Sequence, residues 1–235
     1  GPTSATYGHA DYAITTSGGS GTGAVTFDAG TSLGCSIVDN KLHVVSGSGT
    51  CAITATKAAD ANYLSTTSVS FTVTIEKAAQ DITITAPTSA TYGHADYVIT
   101  VEGAPSTGAL TFEAGSSTAC SIVDNKLHVV SGSGTCAITA SKAGDANYTA
   151  DTSGLFTVEV GPGALTVTAD STTITYGAAT PDFTVHYAGF ATGDDASVLD
   201  GTLVLTFRGT GLSSYGPSTT PPTEAGTYSI TPSGL

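Results

Sequence analysis

Methionine and tryptophan are absent from this chain of 235 residues, and basic residues are scarce. Six Lys plus Arg stand against nineteen Asp plus Glu, a formal charge of −13. Nucleic acid and anionic membrane are bound through clustered Lys and Arg, so this balance argues against both as partners. Charged residues of either sign make up 11 % of the chain, against roughly 25 % in an ordinary soluble domain. Thr, Ser, Gly and Ala take their place. No apolar run approaches the roughly 18 residues of a spanning helix, so membrane insertion is not expected. Also missing are a Gly-rich phosphate loop, a GxSxG turn and a paired-carboxylate signature, which leaves catalysis without a carrier; the chain reads as no enzyme. No secretion signal and no initiator Met are present, and the chain reads as an excised piece of something longer.

What is present is repetition. "CSIVDNKLHVVSGSGTCAITA" occurs at 35–55 and, unchanged, at 120–140. "PTSATYGHADY" occurs at 2–12 and 87–97 with the same offset. "TVTADSTTITYG" at 166–177 parallels "TITAPTSATYG" at 83–93, so a "TYG" opens three units at Thr6, Thr91 and Thr175. A fixed period of this size means tandem modules. The four cysteines allow three pairings, and a self-contained module selects Cys35–Cys51 and Cys120–Cys136. Each bridge would close a loop of about 16 residues, worth roughly 3 kcal/mol. Zinc is the competing reading, but two thiols per module without CxxC spacing are too few. Disulfides imply an oxidising compartment outside the cytosol.

Within each module the period is two. "FTVTI" places Phe71, Val73 and Ile75 on one face and Thr72 and Thr74 on the other. "DITIT" (81–85), "FTVHY" (183–187) and "LVLTF" (203–207) alternate likewise. An apolar face opposite a Thr-rich one describes strands half covered by a core. Turn signals at Asp39-Asn40-Lys41, Ser46-Gly47-Ser48-Gly49 and Ser17-Gly18-Gly19 interrupt the strands at short intervals. No stretch of twelve residues carries a helical period. The expected fold is all-β: tandem Ig-like β-sandwich domains in an extended array.

The domains read as 1–80 (first repeat, lacking the strand that "DITIT" supplies to the second), 81–163 (second repeat) and 164–235 (truncated at its end). Short connectors, "EKAAQ" at 76–80 and "GPG" at 161–163, favour a rod. The unfinished end modules have two readings. Either the chain is cut inside a longer array, or a strand from a neighbouring molecule completes an open sandwich.

Resemblance narrows the class. "GTCAITATKAADANY…TSVSFTVTIEKAAQ" resembles the Ig-like repeats of large bacterial surface proteins, with a Gly-Thr-x-x-Ile-x-Ala strand ahead of an Asn-Tyr corner. The segment from Thr166 is similar to the MBG-type (YGX) repeat. It carries that pattern at Tyr176-Gly177, Pro181, Phe183, Tyr187, Gly189-Phe190, Gly193-Asp194, Leu199 and Gly201. The resemblance implies an extracellular or cell-surface bacterial protein, adhesin-like and built from many such domains, with no shared catalytic residue. Its partners would be neighbouring repeats of the same long chain.

Few residues suggest chemistry. His9 lies near Asp11, and His94 near Asp96, in "YGHADY"; a polar turn explains both. Asp194, Asp195 and Asp200 share one loop and are weak candidate Ca²⁺ ligands, without EF-hand spacing. No other cofactor is expected. Asp60 and Asp145 shape the turns before Tyr63 and Tyr148, which would tuck against a sandwich end. Tyr215 in "SYGPSTTPP" is the candidate ligand loop if the chain binds a surface glycan or protein. Three functions therefore compete: a non-catalytic spacer, an adhesive module, and an accessory segment of a secreted enzyme.

Overall fold

The computed structural model describes all 235 residues. Apart from one short 3-10 turn at Ala196–Val198, every regular element is a strand. No helix is long and apolar enough to cross a membrane.

In the first repeat, one sheet runs Ser4–Thr6, Phe71–Glu76, Thr50–Lys57, Val25–Asp28, with the short Thr66–Thr67 on Thr50–Lys57. The other runs Tyr12–Ala13, Lys41–Val44, Cys35–Val38. Ser4–Thr6 joins its sheet in parallel, with Ala5 opposite Ile75. The alternation read from sequence sets the layers. Val73 and Ile75 point inward while Thr72 and Thr74 face water, and Leu42 and Val44 enter the core from the opposite sheet. Cys35–Val38 and Lys41–Val44 are joined by Asp39-Asn40 alone, both at positive φ (48° and 57°). That is the two-residue hairpin geometry that Asn and Asp tolerate better than other side chains. Asp124-Asn125 repeats it.

The chain then crosses between sheets, and the crossing is stapled. Cys35 bonds to Cys51 and Cys120 to Cys136, with Cα atoms 5.9 and 5.8 Å apart. All four are buried, and no cysteine is free. Each disulfide therefore ties the two layers together inside the core.

The second repeat has the same two sheets and one addition. Thr83–Thr85 pairs antiparallel with Thr100–Glu102, placing Ile84 opposite Val101. The buried side chains form two separate clusters, nine residues from Ala5 to Ile75 and thirteen from Ile82 to Val160. The last segment is built differently. Thr166–Ala169 pairs with Val185–Ala188, and Val204–Thr210 pairs with Thr227–Ser233. Its centre is Phe207, 2 % exposed, with the Phe183 ring 4.8 Å away. No other side chain of that segment is fully buried, so it relies on hairpin pairing more than on a deep core.

Candidate functional site

The most organised polar chemistry lies at the ends of the modules. It begins with an aspartate turn. In the second repeat, Asp145 Oδ1 accepts the backbone N–H groups of Asn147 and Tyr148 at 2.8 and 2.9 Å. Its Oδ2 accepts the N–H and hydroxyl of Thr107 at 2.7 and 3.1 Å. Asp60 does the same with Asn62, Tyr63 and Thr22. Backbone donors favour the carboxylate. The N–H of Thr107 and then that of Asn147 hold Asp145 down at about 2, and those of Asn62 and then Thr22 do so for Asp60. A depressed carboxylate contributes stability that is complete above its ordinary value of 3.8 and is lost as pH falls through about 2. Acid titration of the native chain should therefore loosen both turns between about pH 4 and 2. Asp60→Asn with Asp145→Asn should flatten that part of the stability profile; an unchanged profile would show that the turns do not matter.

The turn fixes the residues after it for a contact with the preceding repeat. Tyr148 meets the Tyr7 ring edge-on at 5.5 Å. Asn147 Oδ1 accepts the Gly47 N–H at 2.9 Å. The connector is held as well: Lys77 Nζ donates to the Asp145 carbonyl at 2.6 Å, and Ala78 exchanges backbone hydrogen bonds with Asn147 and Thr149. Gln80, buried, donates through Nε2 to the Thr149 carbonyl at 2.6 Å. "EKAAQ" is thus pinned along the second repeat and is no free tether. Gly47 is required at this point, because a Cβ there would lie 2.6 Å from Asn147 Cα. Gly47→Ala should wedge the junction open and abolish the Tyr7–Tyr148 nuclear Overhauser contact. Both modules should keep their stability to within about 0.5 kcal/mol, since the site is remote from either core.

At the second junction the equivalent tyrosine is used again. Tyr92 OH donates to Asp194 Oδ2 at 3.0 Å, and Gly93 lies against Ala191. The hydrogen bond to Asp194, then its charge, hold the phenol above its ordinary value. Residues 165–235, which carry this receiving loop, match the family model described as MBG domain (YGX type). The third module is MBG-like. No curated protein matches the chain. In the MBG-like module the tyrosine of the third Tyr-Gly turn, Tyr176, is 72 % exposed.

The other candidate residues fall elsewhere. Asp194 and Asp195 do not converge on a cation: Asp194 binds Tyr92, while Asp195 Oδ1 accepts the Ser197 N–H and caps the 3-10 turn. No three His, Cys, Asp or Glu side chains, Asp200 included, gather anywhere. Tyr215 is no outstretched ligand contact. It is half-buried, its hydroxyl donates to the Thr220 carbonyl at 2.7 Å and its ring packs edge-on against Tyr228. Asp11 does not pair with His9, whose ring stacks on Tyr12 at 4.3 Å. It lies 2.7 Å from His43 Nδ1 on the next strand, and Asp96 repeats this with His128 at 2.8 Å. Sequence reading missed those pairs. The available signal was strand order, since Tyr12 stands opposite Leu42 and brings the neighbouring Asp11 and His43 together.

Proposed function

We propose that this chain is a non-catalytic structural segment of a bacterial surface or secreted protein of the adhesin-like kind, in which stacked β-modules set a distance. The observation that carries the reading is the repeated junction. One tyrosine of the Tyr-Gly turn, Tyr7 and then Tyr92, docks onto the next module each time. A pinned connector and a glycine with no room for a methyl accompany it at the first junction. Such contacts add nothing to catalysis or ligand capture, but they fix the angle between neighbours. The match of residues 165–235 to the MBG domain supports the setting, because those domains occur in bacterial surface proteins. Paired cysteines fit an extracellular location. Neighbouring repeats are the partners this reading names.

The test is a binding screen of the purified chain against broad glycan and matrix-protein arrays, with calcium and with chelator. A spacer gives no reproducible signal in either condition. A saturable hit lost in Tyr215→Ala would overturn the reading in favour of an adhesive module.

A further inference from the structure

In each of the first two repeats, the strand leading into the Tyr-Gly turn lies beside the last strand and runs the same way. In the second repeat, Ser89–Thr91 pairs in parallel with Phe156–Gly161, with Ala90 opposite Val160. The Glu159 N–H donates to the Thr88 carbonyl at 2.9 Å and the Tyr92 N–H to the Gly161 carbonyl at 3.0 Å, one at each end of the pair. Thr91 turns its N–H the other way and donates to the Tyr97 hydroxyl at 2.9 Å. Ala90 is 3 % exposed, so the same strand is also seated in the core. Ser4–Thr6 and Phe71–Glu76 form the equivalent parallel pair in the first repeat, with the Thr6 N–H on the Tyr12 hydroxyl. This direction of pairing has a mechanical consequence. Tension reaches Ser89 from the preceding chain at one end of the pair and Gly161 from the following chain at the other. It therefore draws the two strands past each other along their length. The bonds of a parallel ladder are evenly spaced across the strands, so they are loaded together. An antiparallel pair would be pulled from one end and would open one bond at a time.

We propose that this pair is a load-bearing clamp, a further function of each repeat, which keeps the module folded when the chain is pulled from both sides. The Tyr97 and Tyr12 hydroxyls hold the clamp strand from its other edge. Behind the clamp, Cys120–Cys136 keeps a stretch with a sequence separation of 16 out of any extension, and Cys35–Cys51 does the same. Only the source of the load rests on the spacer reading. The clamp is a property of one module, and a ligand captured on the arrays would leave it standing.

Stretching the full chain by its two ends at fixed force in magnetic tweezers tests it. The first two repeats should each give way in a single step. Reductant identifies those two steps, because each should lengthen by about 50 Å as the bridged residues join the extension. Tyr97→Phe removes one hydroxyl and keeps the ring, and one of the two steps should then come about fivefold sooner while the other keeps its rate. Tyr12→Phe should hasten the other step instead. Ser153→Ala is the control: its hydroxyl accepts the Ala140 N–H at 2.9 Å in the same repeat, where tension arrives only after Phe156–Gly161 has let go. It should lower the calorimetric midpoint of the second repeat and leave the rupture rate unchanged. Repeats that peel open in several small steps, a Tyr97→Phe step no faster than the native one, or equal acceleration by Ser153→Ala would each overturn the proposal.

Discussion

Replacing Cys35 and Cys51 together with Ala lowers the unfolding midpoint of the first repeat by roughly 12–24 °C and leaves the second where it was. The bridge closes 16 residues of chain, and a loop of that size is worth about 3 kcal/mol, chiefly through the unfolded state. In a domain of this size each kcal/mol moves the midpoint by roughly 4–8 °C. Alanine is chosen because both sulfurs are buried, and serine would add an unpaired hydroxyl to the loss. The effect stays local because the two cores are separate clusters, so the second repeat serves as an internal standard. Differential scanning calorimetry resolves the two transitions. Equal movement of both, or movement of neither, would contradict the assignment of one staple to one sandwich.

The second large effect compares one substitution at two sites. Leu42 and Leu127 are the same residue in the same stretch, and neither has any exposed surface. Leu→Ala at either position removes the same buried atoms and should cost about 2–5 kcal/mol. The consequences differ with the surroundings. The second repeat has Ile82 and Ile84 packed into a cluster of thirteen buried residues, while the cluster of the first has nine. Leu42→Ala should therefore leave the first repeat substantially unfolded at temperatures where Leu127→Ala leaves the second intact. Melting of the two variants side by side checks this. A Leu42→Ala chain whose first repeat melts with the second would show that Ile82 and Ile84 add nothing to the stability of the second repeat.

Much of the fold was legible because strand periodicity reports burial within a module. Val73 and Ile75 against Thr72 and Thr74 are enough to place a core face, and Asp39-Asn40 marks its hairpin. Two copies of one stretch also singled out the cysteine pairs among three pairings. What sequence could not show was which module end meets which. The Asp-Ala-Asn-Tyr turns at 60–63 and 145–148 are identical in sequence, yet Tyr63 is 52 % exposed and Tyr148 lies against Tyr7. The difference is in the neighbour, which local pattern does not encode. The partner of Asp194 was hidden for a similar reason. A cluster of carboxylates in one loop resembles a cation site, but a tyrosine 102 residues earlier takes one of them. Tyr215 looked available because loop aromatics often are, and only the path of the following residues brings the Thr220 carbonyl back to its hydroxyl.

If the chain is a spacer, its junctions hold successive modules in line. Small-angle X-ray scattering on the monomeric chain tests it most directly, with Gly47→Ala alongside. The native chain should scatter as one elongated particle whose greatest dimension approaches three modules end to end, and the variant should show a broader and shorter distribution. A compact native particle with modules folded back on one another, or a native distribution already as broad as the variant's, would contradict it.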